Sequence, residues 1–243
     1  MKIVVTGTQG FIGRHLAIAL ERLGHDVRAF DRANRNDVFY HEDEDVVMHQ
    51  GAITDTRETD ASLIYDMNDG YSVRLLNWCQ THRIRLLYAS ASAQYGQPFR
   101  TGANLSLYAT SKKAFDDVVR ALLPYSRCQI AGLRYFNVYG EDEASKGRAA
   151  SFIYKAKREA AQEGRISLFA GTQDCARDWV HVDDIVAINL WFLMHPECSG
   201  IFDVGSGEPT SFSEVCRIIG STVREIPMPD DIVQQYQRYN KAD

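Results

Sequence analysis

The chain has no apolar run long enough to cross a membrane as a helix. Its longest nearly apolar stretch, Ile185–Met194, has 10 residues and is broken by Asn189, about half of the ~20 that a bilayer requires. There is no excess of basic charge. Lys and Arg number 27 against 32 Asp and Glu, a net charge of −5, and no basic stripe is present, so nucleic acid is not an expected partner. The five cysteines, Cys79, Cys128, Cys175, Cys198 and Cys216, are odd in number and scattered. Without a Cys-x-x-Cys or a Cys/His cluster they support neither a disulfide framework nor a zinc site, and no metal is expected. The seven histidines show no ligand spacing either. No signal-peptide pattern is visible, because the first residues run straight into a strand. No repeat or low-complexity segment stands out. A cytoplasmic chain that does not enter membranes is the expectation.

What is present is ordinary for a globular protein: 243 residues, 45% hydrophobic and 24% charged, enough for one large domain or one and a half. Short β-branched runs alternate with longer helical ones, which argues for an α/β fold with a parallel sheet. Strands are expected at Ile3–Val5, Val27–Phe30, Val46–Met48, Arg85–Tyr88, Gln129–Arg134 and Ile201–Val204. Helices are expected over Phe11–Leu23, with Leu16, Leu20 and Leu23 on one face, and over Ser62–Cys79, Tyr108–Leu123, Ser151–Ala161 and Asp184–Leu193. Composition changes after Gly140. Residues 1–140 and 178–204 read as a dinucleotide-binding unit. Residues 141–177 and 205–243 read as a smaller substrate-binding part, expected to be cut short at its C-terminal end.

The interval from Asp31 to Val46 is short. A parallel crossover alone takes about 10–12 residues, and residues 32–45 number 14. Val38-Phe39-Tyr40 could make a small strand, but His41–Asp45 could not carry it back across the sheet. One edge strand is therefore expected to be missing.

Gly7-Thr8-Gln9-Gly10-Phe11-Ile12-Gly13 follows the first strand and opens a helix. Glycines there allow a tight turn and let phosphate approach amides at a helix N-terminus, so Gly7, Gly10, Phe11, Ile12 and Gly13 are candidate cofactor residues. The context makes the sheet a Rossmann-like, doubly wound one. Asp31 ends the second strand, 18 residues after Gly13, where a carboxylate would take ribose hydroxyls. Arg32 and Arg35 could pair with a 2′-phosphate. NADP is the expected cofactor, with NAD possible.

Tyr108 and Lys112 stand at i and i+4 on one helix. An ammonium beside a phenol favours the phenolate, which can then accept a proton. The strand before this helix ends in a serine-rich turn, Ser90-Ala91-Ser92-Ala93-Gln94-Tyr95-Gly96. Glycine loop, serine turn and Tyr/Lys helix, in that order, suit an alcohol–ketone redox site.

These residues resemble the extended short-chain dehydrogenase/reductases, the NAD-dependent epimerase/dehydratase family. Arg134-Tyr135-Phe136-Asn137-Val138-Tyr139-Gly140 and Arg177-Asp178-Trp179-Val180-His181-Val182 with Asp184 are similar to that family's later motifs. Within it, several segments resemble the ADP-glycero-manno-heptose 6-epimerases. They are Met48-His49-Gln50-Gly51-Ala52, Leu87-Tyr88-Ala89-Ser90, Ser145-Lys146-Gly147, Leu190-Trp191-Phe192-Leu193 and Ser199-Gly200-Ile201-Phe202.

The resemblance implies epimerisation at C6 of an ADP-sugar through a 6-keto intermediate, with NADP taking hydride and returning it to the other face. Tyr108 would be one acid–base group and Lys146 the second, with Lys112 beside Tyr108. It implies cofactor contacts from Gly51, Ala52, Lys112 and Ser145. It implies substrate contacts from Ser90, Ser92, Asn137, Lys146, Phe169, Ala170, Gly171, Thr172, Arg177 and Tyr236. Arg177 suits a diphosphate, since guanidinium makes two parallel bonds to phosphate oxygens; an ion pair with a carboxylate is its rival reading. A homo-oligomer and a role in making heptose precursors of bacterial lipopolysaccharide core are also implied.

The chain departs from the family pattern in places. Ala91 stands where the family has a catalytic serine or threonine, and Met67 where a cofactor-contacting asparagine is expected, with Asn68 next to it. Two further readings stay open: another nucleotide-sugar epimerase or dehydratase, and an impaired NAD(P)-binding relative.

Overall fold

The structure, a computed structural model, describes residues 1–31, 43–95, 97–98, 105–233 and 236–243. Arg32, Arg35 and the Val38-Phe39-Tyr40 run lie outside them, as does Gly96.

Six strands form the main sheet: β1 (Lys2–Thr6), β2 (Asp26–Phe30), β3 (Val46–His49), β4 (Arg85–Ala91), β5 (Ile130–Tyr135) and β6 (Gly200–Val204). Their order is β6-β5-β4-β3-β1-β2, and every neighbouring pair is parallel. All residues of β3 and β5 are buried, as expected of strands covered on both faces. Among the described residues β2 is the outer strand on its side.

Side-chain alternation divides the core in two. Ile3, Val5, Met48, Leu87 and Leu133 face Leu16 and Leu20 of α1 (Phe11–Arg22). Val4, Val47, Leu86, Tyr88 and Ile130 face Leu75 and Leu76 of α2 (Tyr71–His82), and Phe115 and Val119 of α3 (Leu107–Leu122). A third cluster lies beyond the sheet. It joins Ala156 of α4 (Phe152–Glu163) to Ile166, Leu168, Phe212 and Cys216, the last two on α6 (Phe212–Ile219). The intervening α5 (Val182–Met194) covers the α1 face with Ile185 and Phe192. Among the described residues no helix is long and apolar enough to cross a membrane.

Two sequence expectations need correction. Leu23 does not join Leu16 and Leu20; it caps α1 and is 61% exposed. The expected continuous helix over Ser62–Cys79 is broken: Ala61–Ile64 is followed by a π-helical turn, Tyr65–Gly70, before α2 begins. That turn directs Asn68 inward, where its side chain binds the backbone of Ile53 in place of helical neighbours.

The chain leaves β1 for β2 and returns to β3 on the other side of β1. The crevice at the carboxyl ends of β1 and β3 is therefore the topological switch point, where open α/β sheets take their ligands.

Candidate active site

At that switch point the backbone comes too close for side chains. Gly7 has φ +74°, and a Cβ there would lie 2.7 Å from Gly51 Cα. A Cβ on Gly13 would lie 2.2 Å from the Gly7 carbonyl oxygen. Gly10 caps α1 without a side chain, and its amide donates to Gly7 O at 2.9 Å. A glycine-lined cradle at an uncapped helix N-terminus suits a diphosphate. Asp31 sits at the end of β2 beside this loop. Its carboxylate accepts from Thr8 Oγ1 and, at 3.2 Å, from the Gln9 amide.

The cradle opens into a cleft of about 1300 Å³ that runs past Ser90, Ala91, Ser92, Tyr108 and Lys112 to Phe169, Arg177 and Tyr236. This exceeds the ~300–1,000 Å³ of a usual small-molecule pocket, so it has room for a dinucleotide with a second ligand. Ser106 caps α3 by accepting from the Ala109 amide at 3.1 Å, which sets the helix start. Tyr108 then falls in the first turn and Lys112 one turn later.

Lys112 is 5% exposed and donates from Nζ to Ala89 O at 2.8 Å. Burial brings its pKa down to about 8. Burial also pushes the Tyr108 phenol up. In this geometry the Lys112 ammonium is turned toward the Ala89 carbonyl.

A buried chain of hydrogen bonds ties the cradle to α3. The Gly51 amide donates to Thr6 Oγ1 at 3.0 Å, and Thr6 Oγ1 lies 2.7 Å from His49 Nδ1. His49 Nε2 is 2.9 Å from Ser72 Oγ, which itself donates to Asn68 O. That direction makes Nε2 the protonated nitrogen and leaves Nδ1 to accept from Thr6. Asn68 accepts from Ile53 N at 2.8 Å and donates to Ile53 O and to Ser111 Oγ; Ser111 donates to Tyr108 O at 2.8 Å. Burial, then the Lys112 charge, brings the His49 pKa down to about 3, so the ring is neutral.

The turn Glu143–Ala149 forms another wall. Lys146 Nζ lies 3.1 Å from Glu143 Oε2 and 4.7 Å from the centre of the Phe11 ring. Arg148 Nε donates to Asp55 at 2.6 Å, and Arg14 donates to Asp142 O at 3.1 Å. At the far end, Arg177 lies between the rings of Phe212 (5.2 Å) and Tyr236 (5.5 Å). Burial lowers its pKa; its guanidinium donates to the Ala176 and Gln237 carbonyls, and among the described residues no carboxylate pairs with it. Burial pushes Tyr236 up to about 12.

A sequence profile of the NAD dependent epimerase/dehydratase family matches residues 3–205. The chain belongs to that family. This epimerase/dehydratase chain is similar in structure to the ADP-L-glycero-D-manno-heptose-6-epimerase of Helicobacter pylori. Identity is 25% and the TM-score 0.81, over 93% of this chain and 84% of that one. It also resembles the UDP-glucose 4-epimerase of Thermus thermophilus, solved with NAD, at 24% identity and TM-score 0.81 over 100% of this chain and 90% of that one. The UDP-N-acetylglucosamine 4-epimerase of Methanobrevibacter ruminantium, solved with UDP-N-acetylmuramic acid, matches at 21% and TM-score 0.84, over 100% and 89%. The last two likenesses speak to the fold alone.

Most residues singled out from the family's motifs line the one cleft: Gly7, Gly10, Phe11, Ile12, Gly13, Asp31, Gly51, Ala52, Asn137, Ser145, Lys146 and Thr172 join those named above. Asn137 is partly engaged, donating from Nδ2 to Asp178 O and Asn240 Oδ1. Ala170 and Gly171 are not brought to the cleft. They are exposed on the outside of a turn with Gly171 at φ +77°, away from the cleft lining. Ser90 and Ser92 differ in their surroundings. Gln94 Nε2 donates to Ser90 Oγ at 3.3 Å, whereas no described group hydrogen-bonds Ser92 Oγ. Sequence pattern assigns no role to Glu143, Thr6, His49, Ser72 or Ser111. Only Asn68, next to the departing Met67, carried a signal.

Proposed function

We propose that this chain epimerises a nucleotide sugar, ADP-glycero-manno-heptose, at C6 through a transient 6-keto sugar. The observation that carries this reading is the pairing of Tyr108 with Lys146 across one cleft. Tyr108 comes from α3 on one face of the sheet, and Lys146 from a turn seated on α1 on the other. Inverting a carbinol needs an acid–base group on each side of the sugar.

The glycine cradle, Asp31, Gly51 and Lys112 would hold a nicotinamide dinucleotide, NADP or NAD, and the close Gly7–Gly51 approach fits that group. The dinucleotide supplies the acceptor and donor of hydride. Tyr108, as the phenolate, takes the C6 hydroxyl proton from one epimer. Lys146, held as an ammonium against Glu143, gives a proton to the ketone oxygen when the sugar has turned. Lys146 takes that proton back when the reaction runs the other way. Ser92 holds the substrate hydroxyl. Arg177 holds the diphosphate, and the rings of Phe169, Phe212 and Tyr236 take the adenosine.

Residues 1–140 with 178–204 would thus bind the dinucleotide and the remainder the sugar nucleotide, in a cytoplasmic homo-oligomer. The family match, which covers epimerases and dehydratases together, supports a second reading, the same chemistry on a different nucleotide sugar. Lys146→Met tests the two-group mechanism. It should lower epimerisation by about 10²-fold or more, measured by NMR of the sugar nucleotide. A family member relying on Tyr108 alone would keep its rate.

A further inference from the structure

We propose that Glu143 is the positioning residue for Lys146, holding its ammonium over the cofactor loop so that one face of the sugar has its acid–base group. This rests on the reading of Lys146 given above.

Glu143 is fully buried, whereas its neighbours Asp142, Ala144 and Ser145 are exposed. It does not line the cleft, so it acts through another residue. Four donors converge on its carboxylate. Oε1 accepts from the Gly140 amide at 3.2 Å and from Ser151 Oγ at 2.7 Å. Oε2 accepts from the Ser151 amide at 2.7 Å and from Lys146 Nζ at 3.1 Å.

Burying a carboxylate is costly unless it is paired and hydrogen-bonded. Three of these donors are neutral; two share Oε1, which an amide oxygen could serve, and the third shares Oε2 with the one charged donor. Lys146 is the donor that calls for a full negative charge.

Lysine has a flexible four-carbon stem and a compact head. On an exposed turn it would sample many rotamers. Here it is fixed from two sides, by Glu143 and by the face of Phe11 at the start of α1. The other charge shown to act on it is Lys155 of α4, which in turn feels Arg57 of the segment after β3; Arg148, on the same turn as Lys146, pairs with Asp55. Lys155 would repel a free ammonium, so without Glu143 it would swing toward solvent.

The test compares Glu143→Gln, Ser151→Ala and Lys146→Met with the unchanged protein. Ser151→Ala disturbs the same turn and the α4 cap but leaves the charge pair in place. The first readout needs no turnover: acetylation of each lysine by a water-soluble ester, followed by peptide mass spectrometry. Lys146 should label severalfold faster in Glu143→Gln and not in Ser151→Ala, with buried Lys112 unchanged as a control for unfolding. Equal labelling of Lys146 in all three lysine-bearing proteins would overturn the proposal.

The second readout is absorbance of reduced dinucleotide after mixing with ADP-D-glycero- or ADP-L-glycero-D-manno-heptose. Glu143→Gln should slow oxidation of one epimer by about 10²-fold, the loss typical of a displaced catalytic group, and spare the other. Lys146→Met should show the same asymmetry. Asymmetry in Lys146→Met with none in Glu143→Gln overturns the positioning role. Faster labelling in Glu143→Gln with no asymmetry in Lys146→Met keeps the anchoring and overturns the catalytic reading of Lys146.

Discussion

Gly7 and Gly51 meet backbone to backbone, so closely that a Cβ on Gly7 would stand 2.7 Å from Gly51 Cα. Gly7 also has φ +74°, a region that costs a non-glycine residue about 1–3 kcal/mol. Gly7→Ala is therefore expected to push the two loops apart. Nicotinamide dinucleotide binding should be lost in a titration by intrinsic fluorescence, and the melting temperature should fall. Unchanged affinity would mean that the cradle is not the cofactor site.

His49 makes stability depend on pH. Its folded pKa is about 3, while a free imidazole binds its proton near 6.5. Below about pH 6.5 the unfolded chain takes up a proton that the fold refuses. The stability present above that pH is lost by about 1.4 kcal/mol per unit as pH falls toward the folded value. His49→Gln removes this contribution. The difference in melting temperature between the two proteins should narrow from pH 7.5 to pH 5, and parallel curves would show that His49 is not held neutral.

The serine turn can be resolved by three variants. Ser92 Oγ is the hydroxyl without a described partner, and Ser90 Oγ is engaged by Gln94. Ser92→Ala should lower kcat by about 10²-fold, the usual cost of a lost donor at a reacting oxygen, and Ser90→Ala should change it little. Ala91→Ser should raise activity. A neutral Ser92→Ala would assign the missing hydrogen bond elsewhere.

Cofactor choice rests on neighbours in sequence. Asp31 lies at the cradle and suits a free ribose hydroxyl; Arg32 suits a 2′-phosphate. Asp31→Asn should weaken NAD by about tenfold and spare NADP, and Arg32→Ala should do the reverse, each being a charge-assisted hydrogen bond. Isothermal titration of both dinucleotides against both variants checks this.

What could be read from the sequence was whatever repeats with a period or sits at a fixed spacing. β1, the glycine loop and α1 follow one another, and Tyr108 and Lys112 are separated by one helical turn, so local pattern sufficed. The main-sheet strands could be read because β3 and β5 are buried on both faces and mostly apolar. Glu143 could not be found that way. Its burial is decided by Gly140, Lys146 and Ser151, and an acidic residue in a polar stretch reads as solvated. His49 is similar, since its partners Thr6 and Ser72 lie far apart along the chain. The π-helical turn escaped because Asn68 obtains its bonds from Ile53 and Ser111 and not from helix periodicity. Ala170 and Gly171 were carried over with Phe169 and Thr172, but a turn alternates which residues it exposes. The short strands beyond the sheet, such as Ala176–Arg177 and Thr210–Ser211, are too short to leave a pattern.

The most direct measurement is a product assay with an isotope in place. The purified protein is incubated with nicotinamide dinucleotide and ADP-D-glycero-D-manno-heptose carrying deuterium at C6, and followed by NMR. The expected result is the C6 epimer with its deuterium retained, because the same hydride leaves and returns inside the cleft. Loss of the label to solvent would contradict hydride return. Absence of the epimer from folded, dinucleotide-bound protein would contradict this substrate.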